Sequence, residues 1–214
     1  MSPAWRLATV GSFILASAVV LGAIVHAHPD PFVLDLRWAD RVASMRAPGW
    51  TFVALRIFDP LGRFPTSWIV VLVIALVLIR AGRRAAVAVL VAGEIASWTV
   101  NDLVKALVDR PRPPHGMIDA SGASYPSGHA AFAAVTAVLA VALLVPAGRR
   151  IIPTAVGAVL VAVMAWSRTY LGVHWLTDVA GGPAVGAGVG LIAIAIGRGT
   201  MEPTPPVAAD RSRV

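Results

Sequence analysis

Along this chain, long apolar runs alternate with short polar interruptions, and the runs have a length that a lipid bilayer dictates. Six can be marked, at residues 7–25, 64–79, 85–104, 130–145, 151–170 and 179–196. A hydrocarbon core of roughly 30 Å takes about 20 residues of α-helix. The pattern therefore predicts an all-α, polytopic membrane protein with a bundle of six transmembrane helices. The second and fourth runs are short and are expected to extend into their flanks. The first follows Arg6 and ends at Val25-His26-Ala27, which resembles a signal-peptide cleavage site, but 19 apolar residues are long for a signal peptide. An uncleaved helix is the expectation.

The connections differ in kind. Residues 26–63 are too many for a simple turn. Phe32, Val33 and Leu36, then Phe52, Val53, Leu55 and Ile57, predict short amphipathic helices at the membrane interface. Residues 199–214 are polar and Pro-rich and read as a disordered tail. In the last run Gly182, Gly186 and Gly190 recur every four residues, a small-residue face suited to close helix packing.

Composition sharpens this picture. Hydrophobic residues make up 57% of the chain and charged residues 14%, and the mean hydropathy is +0.77. That balance fits a membrane protein. No cysteine is present, so disulfides and thiolate metal sites are excluded. The formal net charge of +7 does not point to nucleic acid, because the basic residues sit in clusters between apolar runs. Arg80, Arg83 and Arg84 follow the second run, Arg149 and Arg150 the fourth, and Arg6, Arg198, Arg211 and Arg213 flank the ends. Placing them in the cytoplasm gives cytoplasmic termini and three external loops. The first of those loops resists the rule, since it holds Arg37, Arg41, Arg46, Arg56 and Arg63, accompanied by Asp30, Asp35, Asp40 and Asp59.

Three polar clusters remain: "KALVDRPRPP" at 105–114, "SYPSGH" at 124–129 and "SRTYLGVHWLTD" at 167–178. They lie at the end of the third helix, the start of the fourth, and the junction of the fifth with the sixth. Helix parity puts all of them on one membrane face. Lys105, Arg112 and Arg168 bring three cations there, and an arginine fork suits phosphate oxygens. Ser127 and Gly128 precede the fourth helix, whose unpaired first N–H groups form an anion site that glycine lets a phosphate approach. Asp178 lies four residues after His174, within reach across one helical turn. An aspartate on one imidazole nitrogen fixes the tautomer and leaves the other free to attack. His129 is placed to protonate a leaving oxygen. Together these residues describe phosphoryl transfer through a phosphohistidine, with cations rather than a metal stabilising the charge. Two histidines and one carboxylate amid so many cations make a poor metal site.

Singly, each residue has a plainer reading: headgroup anchors for the cations, a helix cap for Ser127 or Asp178, an interfacial side chain for His174. Their joint spacing on one face favours the site. Glu94, eleven residues before Lys105 and about 16 Å deeper along a helix, is either functional or a hydrogen-bonded packing residue.

The spacing resembles the type 2 phosphatidic acid phosphatase superfamily, which lipid phosphatases share with vanadium haloperoxidases. Its three-part signature, K-x6-R-P, P-S-G-H and S-R-x5-H-x3-D, is matched by Lys105 with Arg112-Pro113, by Pro126 to His129, and by Ser167-Arg168 with His174 and Asp178. The resemblance implies a six-helix phosphatase domain over 1–198. It implies His174 as nucleophile, Asp178 as its orienting acid and His129 as the proton donor to the leaving group. It also implies that Lys105, Arg112, Ser127, Gly128 and Arg168 hold the phosphate, with no metal or cofactor. Arg110, near the site but outside the signature, has a supporting role at most. The expected activity removes the terminal phosphate of a lipid such as polyprenyl diphosphate, phosphatidic acid or phosphatidylglycerol phosphate, at the outer face of the plasma membrane. Alternatives are a phosphatase for a soluble phosphoester and a lipid-binding protein without activity. The expected partners are the lipid substrate and the bilayer, not nucleic acid.

Overall fold

The computed structural model describes residues 2–28 and 30–201, and every regular element among them is helical. In chain order the α-helices are α1 Pro3–Ala27, α2 Val33–Ser44, α3 Pro48–Val53, α4 Asp59–Leu61, α5 Thr66–Arg80, α6 Arg84–Val108, α7 Gly128–Leu144, α8 Ile151–Tyr170 and α9 Leu176–Met201. A π-helical stretch, Ala54–Phe58, joins α3 to α4. Of the tail expected at 199–214, residues beyond 201 lie outside the described part.

Four helices, α1, α6, α8 and α9, are long and apolar enough to cross a membrane. A fifth crossing is available if Pro48–Leu61 and α5 act as one broken span, bent by 62°. The short runs extend less than expected. Helix α5 has 15 residues, bounded by Pro65 and by the turn at Gly82, whose φ of +72° suits glycine. Helix α7 has 17, because its N-terminus begins at the polar cluster. The first loop folds into α2, α3 and α4, as its apolar spacing predicts.

Helix α9 runs through the middle of the bundle. Helices α1, α6 and α7 pack along it, and α8 packs chiefly on α7. Lipid tails are as apolar as leucine, so in a bilayer close van der Waals fit replaces the hydrophobic effect as the force between helices. Small residues provide that fit. A Cβ on Gly186 would lie 2.1 Å from the Ala131 carbonyl oxygen, and one on Gly182 2.4 Å from that of Ser127. Gly11 of α1 crosses Gly188 of α9 as closely, with a Cβ on either 2.8 Å from the other's carbonyl oxygen. At the far end of α7 the unpaired carbonyls are capped by arginines. Arg83 donates to Leu143, and Arg150 to Ala142 at 2.8 Å and Val145 at 2.9 Å. A positive charge there also offsets the negative end of the helix dipole. The other end of α7 carries Ser127, Gly128 and His129.

Candidate active site

Four helix ends and two loops converge opposite the arginine-capped end. Helix α6 delivers Lys105 on its last turn and stops where Asp109 adopts a left-handed backbone, φ +45°. The chain then crosses the bundle as a loop, 109–127. Tyr125, fully buried, pins that loop by donating to the Ala18 carbonyl of α1 at 2.5 Å. Lys105 Nζ donates to the Ala123 carbonyl at 2.8 Å. Arg112 is held by four loop carbonyls: Gly122 at 3.0 Å, Ser121 at 3.0 Å, Ala123 at 3.2 Å and Val173 at 2.8 Å. Burial lowers the Arg112 pKa from its ordinary value, and Asp178 opposes that shift.

His174 sits in the tight connection between α8 and α9, where Gly172 turns the chain at φ +67°. Its two ring nitrogens face different partners. Nδ1 lies 3.4 Å from Oδ2 of Asp178, one helical turn on and longer than a well-formed hydrogen bond. Nε2 lies 3.3 Å from Nη1 of Arg112. Burial pushes the imidazole down to about 4 from an ordinary 6.5, although Asp178 pulls it upward, and Arg112 and Lys105 lower it further. His174 is therefore neutral near pH 7.

Ser127 caps α7 with extended backbone but makes no side-chain cap bond, and its N–H donates to the Asp178 carbonyl at 3.1 Å. The start of α7 and the first turn of α9 are thus tied together. Arg168, buried at the end of α8, gives Nη1 to Asp59 Oδ1 at 2.7 Å and Nε to Ser167 Oγ at 3.2 Å. His129 Nε2 lies 3.0 Å from the Asp59 carbonyl and 3.7 Å from its Oδ1. Among the described residues, four buried side-chain atoms lack a hydrogen-bond partner: Ser127 Oγ, Arg168 Nη2, His174 Nδ1 and Asn101 Oδ1. Such groups are costly in a dry interior unless a ligand completes them. Two, Ser127 Oγ and Arg168 Nη2, belong to side chains expected to hold phosphate.

The structure brings Lys105, Arg112, Ser127, Gly128, His129, Arg168, His174 and Asp178 to this one end. A cavity of about 590 Å3 descends from Lys105, Gly128 and His129 between α5, α6 and α7, past Trp68, Trp98 and Phe132. Glu94 lines its depth and accepts from Thr136 Oγ1 at 2.7 Å, so the carboxyl is hydrogen-bonded as well as cavity-facing.

Three residues contribute more than the sequence suggested. Arg110, 3% exposed, bridges Asp178 Oδ1 at 2.7 Å and Asp35 Oδ2 at 2.6 Å. Asp35 and Asp59 come from the first loop, where they read as companions of that loop's arginines. No local spacing links either to the site.

A family model described as the PAP2 superfamily matches residues 83–201, more than half of the chain. The chain belongs to the PAP2 superfamily. Over 117 residues it is 42% identical to a decaprenylphosphoryl-5-phosphoribose phosphatase of Mycobacterium tuberculosis, covering 52% of this chain and 61% of that protein, with the same values in two strains. The chain thus aligns with under two thirds of that relative's length. Among solved structures, a transmembrane PAP2-type phosphatidylglycerolphosphate phosphatase of Bacillus subtilis superposes with a TM-score of 0.73 and 22% identity, over 86% of this chain and 96% of the other. Aquifex aeolicus LpxE gives 0.64 and 22%, over 76% and 96%. These likenesses show a shared fold: an all-α PAP2 bundle in a multi-pass membrane protein.

Proposed function

We propose that this PAP2 protein is a membrane phosphatase that hydrolyses the terminal phosphate of a lipid phosphate through a phosphohistidine. The observation that carries the reading is the division of the His174 ring. Nδ1 faces Asp178, while Nε2 faces the fork of Arg112. A neutral imidazole whose proton is on Nδ1 leaves its Nε2 lone pair directed to where that arginine would hold a phosphate.

In the first step Nε2 attacks phosphorus as the bond to the lipid oxygen breaks, and His129 gives that oxygen its proton. The lipid alcohol leaves. In the second step His129, now neutral, takes a proton from water as the water oxygen attacks phosphorus and the N–P bond breaks. Inorganic phosphate is released and both histidines return to their starting states. Lys105, Arg112, Arg168 and the first N–H groups of α7 stabilise the charge on the phosphoryl oxygens, and Asp178 stabilises the cationic His174 ring. His129 rests on the Asp59 carbonyl in this substrate-free state, so its ring must exchange that partner for the leaving oxygen. Every group in this scheme comes from the chain, so the reaction proceeds without a metal.

The apolar walls of the cavity beside Lys105 and His129 favour a lipid over a soluble ester. The name of the M. tuberculosis relative makes a polyprenyl-linked sugar phosphate the first lipid to assay, beside phosphatidic acid, phosphatidylglycerol phosphate and polyprenyl diphosphate. The site is placed on the external face of the plasma membrane, with both termini in the cytoplasm. The test is phosphate release by purified protein from this panel with EDTA present. Release from at least one lipid, abolished in His174→Ala, is expected. A His174→Ala protein as active as its parent would overturn the mechanism. A parent that releases phosphate from no lipid, or only from soluble esters, would overturn the lipid-phosphatase reading.

A further inference from the structure

We infer that Asp35 and Arg110 are positioning residues that set the charge and orientation of Asp178, and through it the reactivity of His174. The inference rests on the phosphatase reading above.

The two oxygens of Asp178 are divided. Oδ2 accepts the Trp175 N–H at 2.8 Å and faces His174, whereas Oδ1 accepts from Arg110 at 2.7 Å. Arg110 is thereby removed from phosphate binding. One η-nitrogen serves Asp178 and Thr177 Oγ1, the other serves Asp35, and the guanidinium lies 5.6 Å from the Trp175 ring and 5.9 Å from the Phe32 ring. Asp35 and Asp178 are both fully buried. Asp35 also accepts from Thr177, backbone N–H at 2.9 Å and hydroxyl at 3.1 Å, and so holds the first turn of α9 in register with the site.

A charge count shows why two acids are needed. An arginine alone against Asp178 would neutralise the carboxylate that must stabilise a cationic His174 in the transition state. With Asp35 sharing the guanidinium, the trio keeps one net negative charge beside the ring. A fork this well bonded also fixes the plane of the Asp178 carboxylate, which a lone buried acid would not hold. The other charged or titratable groups that face His174 are Lys105 from α6, Arg112 from the loop and His129 from α7. All of these add positive charge or are neutral, and the nearest other carboxylates, Asp59 and Asp102, act on His129, Arg168 and Lys105, so Asp178 with its two supports is the negative charge that faces the His174 ring among the described residues.

The test is Asp35→Asn, which keeps the side chain's size and an oxygen for Thr177 while removing the charge. On a lipid that the parent hydrolyses, kcat should fall by about tenfold or more with KM changed less than about twofold. The acid limb of kcat/KM should move to lower pH by about half a unit or more, because removing a nearby negative charge makes His174 harder to protonate. Asp35→Glu should recover part of kcat and return the limb towards the parent's. A purely structural staple predicts the opposite direction: a loosened site admits water, and the limb moves up towards the ordinary histidine value. Unchanged kcat, a limb that stays or moves up, or failure of Asp35→Glu to differ from Asp35→Asn would overturn the inference. If Asp35→Asn does not fold, Arg110→Lys, which keeps the charge but cannot span both acids, must lower kcat; parent-like kcat there overturns it equally. A parent inactive on every lipid is a separate failure, that of the phosphatase reading.

Discussion

At the scale of single residues, the His174 imidazole gives the sharpest expectation. Burial disfavours its charged form more than Asp178 favours it, so its pKa falls to about 4 from 6.5. A base with a lowered pKa is ready over a wider range: activity that needs the neutral ring is present above about pH 4 and lost below it. The pH profile of kcat/KM should therefore show its acid limb well under the ordinary histidine value, and a limb at 6.5 or above would mean the ring is solvated in the working enzyme. The residues of the three short motifs were legible because each motif is local, with spacing that one helix end or one turn enforces. Arg110 was legible only as a supporting residue, and Asp35 and Asp59 were not legible. Asp35 meets Arg110 across 75 positions and Asp59 meets Arg168 across 109, and a carboxylate in an Arg-rich loop looks like a partner of its neighbours. Asp59 does bond Arg63 four residues on, at 2.8 Å, while its other oxygen takes Arg168. Gly62 shows how tightly that segment lies on the site, since a Cβ there would fall 2.1 Å from the His129 ring. Gly62→Ala should lower kcat by about tenfold, with helical content by circular dichroism unchanged.

Among the elements, the contact of α7 with α9 matters most, because α7 presents the proposed phosphate-binding turn. The four-residue spacing of Gly182, Gly186 and Gly190 predicted a close packing face, and the structure lays that face against α7. The three positions are not equal. Around Gly186 the obstacles to a Cβ are backbone atoms, Ala131 O at 2.1 Å and Val135 N at 2.9 Å, whereas at Gly190 the nearest atom is the Val138 side chain at 3.1 Å. A side chain yields by changing rotamer, but a backbone yields only if its helix moves. Gly186→Ala should thus cost about 1–3 kcal/mol, seen as a lower thermal midpoint in detergent, and reduce kcat as well. Gly190→Ala should do much less. Equal midpoints for the two variants would refute this ranking. Helix lengths were less legible than helix positions. Apolar periodicity locates a helix, but the ends of α5 and α7 are decided by Pro65, the Gly82 turn and the polar cluster at Ser127, so α5 gains one residue beyond its apolar run and α7 only Gly128 and His129.

Across the whole molecule, the proposed orientation of the bundle rests on its basic residues. The site lies at one end, and Arg80, Arg83, Arg84, Arg149 and Arg150 lie at the other. The connections that carry the latter are short, 81–83 between α5 and α6 and 145–150 between α7 and α8, and basic residues in short loops dominate orientation. Five arginines in residues 26–63 oppose them, but that segment is folded, and two of its arginines are engaged: Arg63 by Asp59, and Arg46 by the Tyr170 carbonyl at 3.3 Å. This balance supports the proposed orientation, with the site end outside. A chain without cysteine permits a direct check. Ala120 is exposed on the loop 109–127, and Gly148 is exposed at the other end with open space around a Cβ. In intact cells a membrane-impermeant maleimide should label Ala120→Cys but not Gly148→Cys, and both after lysis. The reverse pattern would put the site in the cytoplasm, where it would meet lipid phosphates as they are made. The expected pattern instead requires the lipid to reach the outer leaflet before its phosphate is removed, and the phosphate to be released outside the cell.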